Sequence, residues 1–156
     1  MINVVDYERL KEKCREILRG EGGWRDKLEE ICELLHREVS HYNWVGFYLV
    51  ERPSSKGLVL GPYRGEPTEH VKIPFGRGIC GQAAERRETF VVDDVRRESN
   101  YLACSVKVLS EIVVPIMRGE QVLGEIDIDS HTLSAFSGQD REFLEWLSGE
   151  VERVLP

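Results

Sequence analysis

Apolar positions recur at four-residue steps early in the chain. Leu10, Cys14 and Leu18 form one stripe, and Leu28, Ile31, Leu35 and Val39 contribute to a second. Both have the helical period, so amphipathic helices are predicted over Asp6 to Leu18 and over Trp24 to Val39. The breaker Gly20-Glu21-Gly22-Gly23 between them predicts a helical hairpin lying against a sheet. From Asn43 the texture changes to NWVGFYLVE, GLVLGPYRG and HVKIP, runs rich in β-branched and aromatic residues divided by Pro, Ser and Gly. These predict three strands of a meander. GRGICGQAAERR predicts a glycine turn leading into a short helix, ETFVVDDV a further strand, and Arg96 to Ser110 a loop. EIVVPIMR and QVLGEIDIDS, joined at Gly119-Glu120, carry the signature of a hairpin. Phe136 to Val154 predicts a closing helix with Phe143, Leu144 and Leu147 on one side and Ser137 placed to cap its start. The order predicts an α+β fold, an antiparallel sheet with helices mainly on one face.

Composition narrows the functional classes. At 156 residues and 41% apolar content, one core is expected: helices over about 5–40, sheet and pocket over about 43–130, and a C-terminal helix over about 137–154. A formal charge of -7, from 28 acidic and 21 basic residues, repels phosphate backbones and anionic membranes and favours a small soluble ligand. Charges interrupt the N-terminal stretch, and no apolar run approaches the roughly 20 residues needed to span a bilayer. No leader or membrane segment is expected, and a cytoplasmic location follows. The cysteines at 14, 32, 80 and 104 lack the paired spacing of a zinc site, and the histidines at 36, 41, 70 and 131 are scattered, so no metal is expected.

Three sets of residues carry candidate chemistry. Cys14 and Cys32 sit on helical stripes and read as packing residues, whereas Cys80 and Cys104 lie at junctions or in loops. Cys80 follows Gly76-Arg77-Gly78 at a predicted helix N-terminus, a setting that favours a thiolate, and Cys104 has Lys107 nearby. Either thiol alone reads equally well as a buried one. Glu125, Asp127 and Asp129 share one face of a strand, with Glu111 at the head of its neighbour. A solvated edge explains such a face, as does a pocket for an ammonium group in which mutual repulsion keeps one acid protonated. Trp44 and Tyr48 also share a strand face, as core aromatics or as an aromatic wall for a methyl thioether. GRGICG lacks the Lys-Ser/Thr ending of a phosphate-binding loop.

Taken in order, NWVGFY, LGPYRG, IPFGRGICG, Asp94-Val95, LAC at 102–104, SEIVVP and LGEIDIDS resemble the free methionine-(R)-sulfoxide reductase family over most of the chain. The resemblance implies a GAF domain whose small pocket reduces the R-sulfoxide of free methionine. Matched motif to motif, Cys104 falls on the catalytic nucleophile and Cys80 on a second family cysteine. Glu111, Asp127 and Asp129 fall on pocket carboxylates, Asp94 joins them, and Trp44, with Tyr48 on its face, falls on the aromatic wall. The implied chemistry leaves Cys104 as a sulfenic acid, uses no bound cofactor, and draws on an external dithiol such as thioredoxin. It also implies a role in repair after oxidative stress. The terminal helices offer a surface for a homodimer.

One departure affects recycling. The family commonly has a cysteine ten residues before the cysteine of GICG, where this chain has His70. Resolution by Cys80, direct reduction of the Cys104 sulfenic acid by an external thiol, and lost turnover all stay open. A non-catalytic GAF sensor using the same pocket is the alternative function.

Overall fold

The computed structural model describes residues 4–102 and 105–156, so Cys104 lies outside the described residues. Helix α1 (Tyr7–Arg19) starts where the Asp6 carboxylate accepts the Arg9 N–H, and it buries Leu10, Cys14 and Leu18. Helix α2 (Trp24–Glu38) buries Leu28, Ile31, Cys32, Leu34 and Leu35. After these come strands β1 (Trp44–Leu49), β2 (Gly57–Arg64) and β3 (Lys72–Pro74), helix α3 (Gly78–Arg86) and strand β4 (Phe90–Val92). A 3-10 turn (Val95–Arg97), the hairpin of β5 (Ser110–Arg118) and β6 (Gln121–Ser130), and helix α4 (Gly138–Glu152) complete the order. Among the described residues, no helix is long and apolar enough to cross a membrane.

The six strands form one antiparallel sheet in the order β3-β2-β1-β6-β5-β4. Helix α2 packs on β1 and β2, α4 packs on β5 and β6, and α1 packs against both helices. Helix α3 packs against the sheet from the other side, in the cluster containing Trp44, Tyr48 and Val113. The fold is thus α+β with helices mainly on one face, as the sequence predicts.

Strand alternation separates two cores. Val45 pairs with Ile128, Phe47 with Ile126, Ile112 with Ile128, and Val114 with Ile126, and all of these side chains join the helical core. The intervening residues point to the α3 side, where Trp44 pairs with Asp129, Gly46 with Asp127 and Tyr48 with Glu125.

Local chemistry sets the boundaries. Gly119 adopts φ 62° in the two-residue connection between Arg118 and Gln121, a backbone that glycine provides without strain. Helix α4 begins directly after Ser137, which caps its start as expected and forms a reciprocal capping box with Asp140. Strand β4 is shorter than predicted: the Asp93 carbonyl accepts the Ser134 N–H, and Asp94 turns to cap the 3-10 helix.

Candidate active site

Strand β6 lies between β1 and β5, so its acidic face has no route to solvent along a sheet edge. Glu125, Asp127 and Asp129 are 0%, 1% and 1% exposed, and Glu111 on β5 is 4% exposed. The solvated-edge reading therefore does not hold. Glu111 pairs with Asp129 across the ladder, and Val113 with Asp127, so the acids form a patch over two central strands.

Helix α3 lowers Cys80 onto this patch. The Cys80 Sγ lies 4.0 Å from Glu111 Oε2, and donor atoms of Cys80, Glu111 and Asp127 all fall within 4.8 Å of one another. Both carboxylate oxygens of Glu125 and Asp129, and Asp127 Oδ1, are buried without a hydrogen bond among the described residues. Burial, reinforced by the charge of Asp127, pushes Glu125 and Asp129 well above the usual carboxylate range. Burial raises Asp127 too, against opposing contributions from Glu111 and Cys80. Such groups retain protons that ordinary carboxylates release.

The same surroundings reverse the expectation for Cys80. Burial, then Asp127, Glu125 and Glu111, push its thiol well above the ordinary cysteine value. The helix N-terminus is outweighed, because desolvation and nearby negative charge both oppose a thiolate. Cys14 and Cys32 are wholly buried in the helical core, and burial pushes Cys14 up to about 12.

The aromatic wall stands beside the acids. Trp44 stacks on Tyr63 at 5.3 Å and on Tyr48 at 6.3 Å between ring centroids, and its indole N–H donates to the Glu66 carbonyl at 3.0 Å. A Cβ on Gly46 would come within 2.4 Å of the Trp44 ring, so glycine at this point lets the indole lie across β1. Tyr48 donates its hydroxyl to the His70 carbonyl at 2.8 Å. His70 in turn lines the cavity that Tyr48, Cys80, Leu102, Glu111 and Asp127 share.

Asp94 is placed differently. It accepts the Arg96 backbone N–H at 3.1 Å, pairs with the Arg96 guanidinium at 2.9 Å, and lies 3.7 Å from that of Arg97. Arg96 holds its carboxyl below the usual range. Its carboxylate thus shapes the start of the loop that carries Cys104, while Val95 N–H donates to the Leu109 carbonyl and closes the loop's base.

Sequence reasoning missed the loop's fastenings. The Asn100 carboxamide accepts from Gly78 N–H and donates to the Gly76 carbonyl, each at 2.8 Å. Gln82 donates to the carbonyls of Gly78 and Asn100. Lys107 pairs with Glu66 at 3.0 Å, which ties the loop to the residue that holds Trp44.

A model of the GAF domain family matches residues 25–155. The chain is 35% identical over 149 residues to a protein named free methionine-R-sulfoxide reductase from Escherichia coli (strain K12), covering 96% of this chain and 88% of that one. It is 42% identical over 155 residues to the protein of that name from Saccharomyces cerevisiae, covering 96% and 82%. The reduced form of the Staphylococcus aureus fRMsr superposes with a TM-score of 0.91 at 36% identity, over 100% of this chain and 99% of that one. The same enzyme has also been solved in complex with its substrate.

Proposed function

From the premise that the chain belongs to the GAF domain family and, within it, to the free methionine-R-sulfoxide reductases, we propose that it reduces free L-methionine-(R)-sulfoxide with Cys104 as nucleophile. The observation that carries this reading is the buried convergence of Cys80, Glu111 and Asp127 beside the Trp44 wall. The substrate's ammonium group enters among Glu111, Asp127 and Asp129, where its charge compensates the buried carboxylates. Its methyl group lies against Trp44, where sulfur–aromatic contact contributes about 0.3–1.5 kcal/mol.

The Cys104 sulfur attacks the sulfoxide sulfur while a protonated carboxylic acid of the cluster delivers its proton to the sulfoxide oxygen. The sulfur–sulfur bond formed by this attack then breaks as the hydroxyl passes from the substrate sulfur to the Cys104 sulfur, so the substrate loses its S–O bond, methionine leaves with its sulfur reduced, and Cys104 is left as a sulfenic acid. The Cys80 thiol then condenses with that sulfenic acid: a disulfide forms, and the hydroxyl leaves as water with the thiol proton. An external dithiol such as thioredoxin reduces the disulfide by exchange.

The test is consumption of free L-methionine-(R)-sulfoxide with dithiothreitol or a thioredoxin system. The R epimer should be turned over, the S epimer should not, and Cys104→Ser should abolish turnover. Binding without consumption would make the domain a sensor. After a single turnover without reductant, wild type should lose two thiols and Cys80→Ser should not, which identifies Cys80 as the resolving residue in place of a cysteine at position 70.

A further inference from the structure

Donors of different softness meet where α3 crosses the central strands. The Cys80 sulfur and one oxygen each from Glu111 and Asp127 lie within 4.8 Å of one another, and all three residues are buried. A second observation points to a ligand there. Asp127 Oδ1 and both oxygens of Glu125, which is 0% exposed on the same strand face, have no hydrogen-bond partner among the described residues. Buried carboxylates in this condition destabilise a fold until a proton or a cation compensates them.

We infer that Cys80, Glu111 and Asp127 form a binding site for a divalent cation of the zinc class. One thiolate and two carboxylates suit a borderline ion such as Zn²⁺ or Co²⁺, whereas Mg²⁺ and Ca²⁺ favour all-oxygen sites. Three protein ligands leave the fourth tetrahedral position open. Sulfur and oxygen donors on one such ion stand about 3.5 Å apart. The observed Cys80 to Glu111 separation of 4.0 Å needs only a small side-chain adjustment to match. The site rests on the reductase reading in one respect: the same acids receive the substrate's ammonium group, so metal and substrate exclude each other and the ion acts as a reversible brake.

The experiment is a Co²⁺ titration of the reduced full-length protein without chelating reductant, followed by the near-ultraviolet thiolate-to-cobalt charge-transfer band. Wild type should saturate at one ion per chain, Cys104→Ser should keep the band, and Cys80→Ser should lose it. Asp127→Asn, which retains every thiol, should bind at least about tenfold more weakly. No band in wild type, a band that persists in Cys80→Ser, or undiminished affinity in Asp127→Asn overturns the site, and the last result decides even if Cys80→Ser does not fold. Excess free methionine should displace the cobalt. If the band behaves as expected but methionine leaves it unchanged, the metal site stands and the assignment of these acids to the substrate ammonium falls.

Discussion

The Asn100 carboxamide oxygen accepts the Gly78 backbone N–H at 2.8 Å, joining the loop that carries Cys104 to the first turn of the helix that carries Cys80. Helix α3 has no side-chain cap from its own N-cap residue Arg77, so Asn100 meets a need that every helix start presents. Its amide also donates to Gly76, and Leu102 packs against Gly78 so closely that a Cβ there would lie 3.0 Å away. Asn100→Ala should cost about 1 kcal/mol of stability. It should lower kcat more than it raises KM, because the loss falls on the seating of the proposed nucleophile. Thermal melts with steady-state kinetics check both, and Asn100→Asp, which keeps the acceptor, should recover part of each.

The buried acids predict an unusual dependence of stability on pH. Glu125, Asp127 and Asp129 have folded-state values raised above the unfolded ones, so their stabilising contribution is fully present below the ordinary carboxylate pKa of about 4. It is lost as pH rises toward the folded values. Glu125→Gln removes one such group, so the variant should gain stability relative to wild type as pH rises and show no gain below about pH 4. Urea midpoints of the two proteins across this range check the sign. A constant difference would mean that Glu125 is not the group that titrates.

Much of this architecture is legible in the sequence, and what is not has physical reasons. The stripes of α1 and α2, the Gly119-Glu120 connection and the shared face of Glu125, Asp127 and Asp129 all follow from local periodicity. That this face is buried depends on β1 pairing with β6 across about half of the chain, a long-range choice that alternation does not encode. Asp94 carries its own signal, since two arginines follow it directly and take its carboxylate. The shift of Cys80 comes first from its burial and then from three acids brought in from β5 and β6, so the local helix-terminus argument points the wrong way. Asn100 has no periodic signature. The nearest clue is a glycine turn before α3 without a capping side chain of its own.

A second buried network lies on the helical side of the sheet. Asp140 Oδ1 accepts from Tyr42 at 2.7 Å and Tyr7 at 2.9 Å and contacts His41 Nε2 at 3.0 Å, while Oδ2 accepts the Ser137 N–H at 2.8 Å. Burial raises its carboxyl, but the bonds from His41, Ser137 and Tyr42 outweigh that and hold it below the usual range. Its contribution is therefore present above a pH of about 4 and lost as pH falls through the lowered value. Asp140→Ala should cost about 3 kcal/mol, because it strands several buried donors and removes half of the capping box. The Tm should drop steeply while KM for methionine sulfoxide stays unchanged; a shift in KM would show that the two faces are coupled.

Gly46 tests the aromatic wall directly. It sits opposite Asp127 in the ladder, and a methyl group there would meet the Trp44 ring at 2.4 Å and Tyr63 Cβ at 2.9 Å. The indole is also confined from its other side, where a Cβ on Gly65 would approach it to 2.7 Å, and its N–H is fixed on Glu66. Trp44 therefore cannot move aside without losing its hydrogen bond and its stacking on Tyr63. Gly46→Ala should cost about 1–3 kcal/mol, the usual range for overpacking. It should also raise KM several-fold, because the displaced indole moves into the space proposed for the substrate methyl group. Intrinsic tryptophan fluorescence of the double variant Trp24→Phe/Trp146→Phe, with and without Gly46→Ala, isolates Trp44 and reports its displacement. Altered fluorescence together with an unchanged KM would remove Trp44 from the binding wall.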